Sequence, residues 1–141
     1  MEVPLLYIID NDLISAFDIK IRIHQSKFPC RVRGFEEAEK ALVIFESTFS
    51  SSDERPDIIL ISFDLPDMDG PMFLNQLKNY GVNFEFTDVY VFSAYGISEK
   101  QQRMTELKDV RGIFTKPLSR KEIRDIFHAY QTKTNGGQIS A

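Results

Sequence analysis

Polar side chains stand where four apolar runs give out, and these are the residues whose types could do chemistry. Asp10, with Asn11 and Asp12 behind it, follows Leu5 to Ile9. Ser62 and Asp64 follow Ile58 to Ile61, Ser93 follows Val89 to Phe92, and Lys116 follows Ile113 and Phe114. A serine hydroxyl is not ionised at neutral pH, so Ser62 is a nucleophile only beside a base, for which Asp10 is the candidate. Each residue alone reads as a helix cap or a loop start. Together they make a site only if the fold brings the strand ends to one edge.

The surrounding pattern does so. Leu5 to Ile9 and Ile58 to Ile61 are short, unbroken apolar runs of the kind buried on both faces of a sheet. Ile14, Phe17 and Ile21 repeat at helical spacing after a cap at Asp12. Cys30 to Arg33 alternates like an edge strand, with Gly34 turning the chain. Ala38, Ala41, Leu42, Phe45 and Phe49 mark a second helix, and Phe49 to Arg55 is a serine-rich loop. Pro71 opens a helix with Phe73, Leu74, Leu77 and Tyr80 inward, and Gly81 stops it. Val89 to Phe92 is a fourth strand, followed by a weak helical stripe at Ile97, Met104 and Leu107. Ile113 and Phe114 form a fifth strand, and Ser119 with Glu122 makes a capping box before Ile123, Ile126, Phe127 and Tyr130.

Five alternations of strand and helix predict an α/β fold: a doubly wound, flavodoxin-like (βα)5 sheet of five parallel strands in the order 2-1-3-4-5. In that order the polar strand ends share one edge, around the switch point between strands one and three. The expected organisation is one domain over residues 1–131 and a flexible tail over 132–141.

Composition narrows the function. The chain has 141 residues, 43% of them hydrophobic and 27% charged, with a net charge of −4, which suits a soluble globular domain and gives no support to nucleic acid as the main partner. No apolar run is long enough to cross a bilayer. Cys30 is the single cysteine, which excludes an internal disulfide and fits a reducing cytoplasm; packing is favoured over reactivity for it. His24 and His128 have no metal-ligand spacing around them. No phosphate-binding glycine motif occurs.

From Leu5 to about Tyr130 the sequence resembles the receiver domains of two-component response regulators. The resemblance rests on the acidic turn Asp10-Asn11-Asp12, the Pro56-Asp57 strand with its Leu65-Pro66-x-Met68-Asp69-Gly70 loop, Ser93-Ala94 after strand four, and Lys116-Pro117 after strand five. It implies a site that binds magnesium and carries a phosphoryl group on an aspartate, taken from a histidine kinase or a small phosphodonor. It implies that Ser93 and Lys116 contact phosphoryl oxygens, and that signalling reshapes the face of the fourth helix, fifth strand and fifth helix.

The departures from that pattern set the functional expectation. Four residues before the loop proline, where the phosphoacceptor aspartate belongs, stands Ser62. Asp57 cannot replace it, because it starts the strand roughly 16 Å away. Asp64 stands where the family uses a backbone carbonyl on the metal. Asn11 replaces the second acidic ligand, so the metal set of Asp10, Asn11 and Asp64 is weakened or lost. Ile113 occupies the aromatic switch position. Lys116, costly to bury unpaired, is expected to form a salt bridge with Asp10.

The resulting expectation is a degenerate, stand-alone receiver module of a two-component or phosphorelay system. It would not be an enzyme, would need no cofactor, and would bind Mg2+ weakly at best. Its partner would be a histidine kinase or a downstream signalling protein, met through the face from about Ile97 to Tyr130, where Ile97, Arg103, Arg111, Lys121 and Arg124 are candidates. The chain would be a monomer or weak homodimer in the cytoplasm, with no nucleic acid or membrane partner. Two rivals are a working phosphorelay receiver that uses Ser62 or Asp64, and a flavodoxin-like flavin protein.

Overall fold

The strands take their places from the apolar runs. In the computed structural model, which describes residues 3–47, 55–94 and 109–140 (135–140 by backbone alone), β1 is Leu5–Ile9, β2 Arg31–Phe35, β3 Ile58–Ser62, β4 Asp88–Ser93 and β5 Val110–Thr115. All pairings are parallel and the order is β2-β1-β3-β4-β5, as the alternation of elements predicts. Every residue of β1, β3 and β4 is buried. β2 is a more exposed edge strand, and it runs on through Gly34 to Phe35 instead of turning at the glycine.

Side chains alternate between the faces of the sheet. Leu5, Tyr7, Ile9, Ile59, Ile61, Val89 and Val91 pack under α2 (Ala38–Ser47) and α3 (Gly70–Asn79). Leu6, Ile8, Ile58, Leu60, Tyr90 and Phe92 pack under α1 (Leu13–Ser26) and α4 (Arg120–Ser140). Each fully buried Ile, Leu or Phe contributes about 1.5–3 kcal/mol of transfer free energy, so the two layers hold the central strands and therefore their polar ends.

The caps at Asp12 and at Ser119 with Glu122 form as the sequence implies, and Asp69 adds one not read from it. Asp12 accepts from the Ile14 and Ser15 amides at 3.0 and 3.2 Å and starts α1. Asp69 accepts from Met72 at 2.8 Å at the head of α3, and Gly81, at φ 81°, follows that helix in a conformation glycine adopts without strain. Ser119 and Glu122 form the reciprocal capping box, with N–H to oxygen distances of 2.9 and 3.0 Å.

Two further sequence readings need correction. The spacing of Ile14, Phe17 and Ile21 signals α1 but not its buried face: Ala16, Ile19 and Ile23 point inward, while Ile14 is 83% and Phe17 64% exposed. Leu13 and Ile21 are exposed beside them. And residues from Thr132 do not leave the helix, because α4 continues to Ser140. Lys133 ties that added length to the sheet through Asp88 at 2.8 Å, a partner the reading of Thr132 onward as a tail overlooks. Phe49, Ile97, Arg103, Met104 and Leu107 lie outside the described residues.

Candidate functional site

The carboxyl edge of the sheet gathers the strand-end residues. Asp10 leaves β1 with its carboxylate fully buried; Oδ1 accepts the Asp12 amide at 3.0 Å and Oδ2 pairs with the Lys116 ammonium at 2.9 Å. Lys116 reaches it from the end of β5, where its amide donates to the Ser93 carbonyl at 2.8 Å and extends the ladder by one step. Its ammonium also lies 5.0 Å from the Phe92 ring centroid, and its side chain is only 13% exposed. Two charges this far from water are tolerable because each finds the other and a further polar or π partner. The expected ion pair is present.

Ser62 ends β3 at 1% exposure, and its hydroxyl oxygen accepts the Asp64 amide at 3.3 Å. Phe63 N–H donates to the Phe92 carbonyl at 2.8 Å, so β3 and β4 stay paired one step past Ser62. That pairing carries the exposed Asp64 to the end of β4. There its Oδ2 accepts from the Ser93 hydroxyl at 3.2 Å and the Ala94 amide at 3.4 Å.

Asn11 is exposed beside this group, and Ile113 is half-buried against the α2/α3 layer. Among the described residues, no group of three or more His, Cys, Asp or Glu could hold a metal ion. A groove of about 430 Å³ runs from Asp12 and Ile14 at the head of α1 to Lys116, Pro117 and Leu118.

Asp57 sits at the opposite edge. Its carboxylate accepts the Leu5 amide at 2.8 Å, and burial, acting before its neighbours, raises its pKa. Burial likewise pushes the Cys30 thiol up to about 12, so it is protonated at neutral pH and packs as a weak donor to the Arg31 carbonyl.

Three interactions were missed from sequence. Asp88 is a buried acid held by Arg111 at 2.6 Å and Lys133 at 2.8 Å. Asp67 caps α2 from outside it, accepting from the Ala38 and Glu39 amides at 3.4 and 3.1 Å. The Asp64–Ser93 bond links residues 29 apart. An acid directly before the apolar run Val89 to Phe92 was the only signal for Asp88, the shared edge of the strand ends was the only one for Asp64 with Ser93, and Asp67 left none.

The chain matches the response regulator receiver domain family over residues 6–128 and belongs to it. It is 35% identical over 77 residues to sporulation initiation phosphotransferase F of Bacillus subtilis (strain 168); the match covers 55% of this chain and 59% of that protein. Among solved structures, a two-component response regulator from Cytophaga hutchinsonii superposes with a TM-score of 0.82 at 17% identity, over 94% of this chain and 99% of that one. A two-component response regulator from Legionella pneumophila gives 0.75 at 23% identity, over 93% and 99%. These likenesses show the fold. Receiver domains are signalling modules that interact with histidine kinases or other signalling proteins. Among the described residues no helix is long and apolar enough to cross a membrane.

Proposed function

We propose that this receiver domain is not switched by an aspartyl phosphate and signals by protein contact. The observation that carries the reading is Ser62, an alcohol buried at the end of β3 where the phosphoacceptor carboxylate would stand. It lacks an ionised nucleophile, and the candidate base, Asp10, is held by Lys116. The donor set does not suit magnesium. Asp10 spends one oxygen on an ammonium and the other on an amide, Asp64 is engaged by Ser93 and Ala94, and Asn11 brings no charge. We assign the chain no enzymatic role, no required cofactor and a cytoplasmic location, the setting of such partners and of an unpaired cysteine.

The contact half of the reading is supported by Leu13, Ile14, Phe17 and Ile21, which expose large apolar side chains together on α1. The face formed by β5 and α4 is the second surface. There Arg111 is engaged by Asp88, and Lys121 pairs with Asp125 at 2.9 Å. Incubation with acetyl phosphate and magnesium, followed by intact-mass measurement, tests the reading. The expected spectrum shows unmodified protein; a gain of one phosphoryl group on most molecules overturns it.

A further inference from the structure

The hydroxyl of Ser93 and the amide of Ala94 converge on one carboxylate oxygen, at 3.2 and 3.4 Å. That is the arrangement by which a protein holds an oxyanion, with neutral donors strengthened by a charged acceptor. Here the oxyanion is part of the chain. We infer that Asp64 is a built-in anion occupying a latent oxyanion site at the ends of β3 and β4, and that it keeps external phosphate or sulfate out. The inference deepens the proposed loss of phosphoryl switching: besides lacking a nucleophile, the edge holds its anion already.

The geometry makes the occupation stable. Ser93 is 1% exposed and its backbone is fixed, because its carbonyl accepts the Lys116 amide at 2.8 Å. The loop bearing Asp64 is held at three further points. Phe63 donates to Phe92, Asp67 is anchored on the first amides of α2, and Asp69 caps α3. Asp64 therefore need not be ordered by binding. An external anion would have to displace a tethered carboxylate, whose local concentration a free ion cannot match at ordinary levels. The donors are also oriented in advance, so removing the carboxylate should leave them ready for a tetrahedral oxyanion, with the Lys116 ammonium at the same edge.

The occupation joins the ends of β3 and β4, adding to the Phe63–Phe92 backbone bond there. The Asp64 contact thus ties the Ala94 amide to the end of β3 without any covalent modification.

The test is a titration of the full chain with inorganic phosphate, followed by amide NMR at Ala94, in EDTA and without a phosphodonor. Phosphorylation of Ser62, which would end the proposed function, cannot occur under these conditions, so the two readings fail separately. In wild type the Ala94 amide should not move. In Asp64→Ala it should shift saturably, with affinity about tenfold or more above wild type, as expected when a competing charge-assisted contact is removed. Asp64→Asn, which keeps the side-chain volume and removes the charge, should also gain phosphate binding. Equal response of wild type and variants, or no response in either folded variant, overturns the inference.

Discussion

The Lys116 ammonium, at the end of β5, lies 2.9 Å from a carboxylate oxygen of Asp10, at the end of β1, and joins residues 106 apart. Between them run the ends of β3 and β4, so the bond spans the mouth of the site. Removing one partner leaves the other buried without a counter-charge, which typically costs about 3–5 kcal/mol. Lys116→Met and Asp10→Asn should each lower unfolding free energy in urea by roughly 2–4 kcal/mol, the Asp10 variant toward the low end because its amide keeps an acceptor for Asp12. The double variant should lose clearly less than the sum of the two. Additive losses would mean that the pair is not coupled.

Ser62→Asp restores the missing nucleophile without rebuilding the rest of the site. It sets a third carboxylate near Asp10 and Asp64, while Asn11 still withholds one from the metal. With acetyl phosphate and magnesium the variant should be labelled on a minority of molecules, as read by intact mass. Adding Asn11→Asp should raise that fraction at the same magnesium concentration, because magnesium rests on carboxylates. If Ser62→Asp alone labels fully, the metal site is less impaired than its residues imply.

What the sequence made legible follows the range over which each interaction acts. Asp12, Ser119 with Glu122, and Gly81 act within one turn of their own residues, and their types alone reveal the caps. The runs at Leu5 and Ile58 reveal central strands because both faces are covered. Lys116 with Asp10 was expected because the family resemblance places the two at one edge. Asp64 and Ser93 were placed at that edge too, but an exposed acid does not demand a partner as a buried lysine does, and Lys133 on Asp88 had no guide, joining residues 45 apart. α1 misled for a different reason: it carries two apolar faces, and periodicity cannot say which one is buried.

That ambiguity in α1 gives a direct comparison. Ile19 is 2% exposed under the sheet, whereas Phe17, two residues earlier, is 64% exposed. Ile19→Ala should cost about 2–4 kcal/mol through lost burial and a cavity. Phe17→Ser should change stability by no more than about 0.5 kcal/mol, measured by the same urea unfolding. If Phe17 proves the costlier site, the helix is turned the other way. If Phe17→Ser is neutral for folding but abolishes capture of a cognate signalling partner, the apolar stripe is the contact surface.

Asp57 supplies a pH signature at the edge away from the site. Burial raises its carboxyl above the ordinary 3.8, against smaller opposing effects of the Leu5 amide, Lys133 and Arg31. A carboxyl raised on folding binds its proton more tightly in the native state than in the unfolded one. Stability from this group therefore falls as pH rises from 3.8 through the raised value, and is restored on acidification through the same window. Asp57→Asn keeps an acceptor for the Leu5 amide and does not titrate. At pH 7 the variant should be more stable than wild type, by less than about 1 kcal/mol because the group is half exposed and screened. Below 3.8 the advantage should vanish, since the wild-type carboxyl is then neutral in both states. Urea unfolding of both proteins across that range checks it. A variant less stable at pH 7 would show that Lys133 and Arg31 outweigh the burial of the charge.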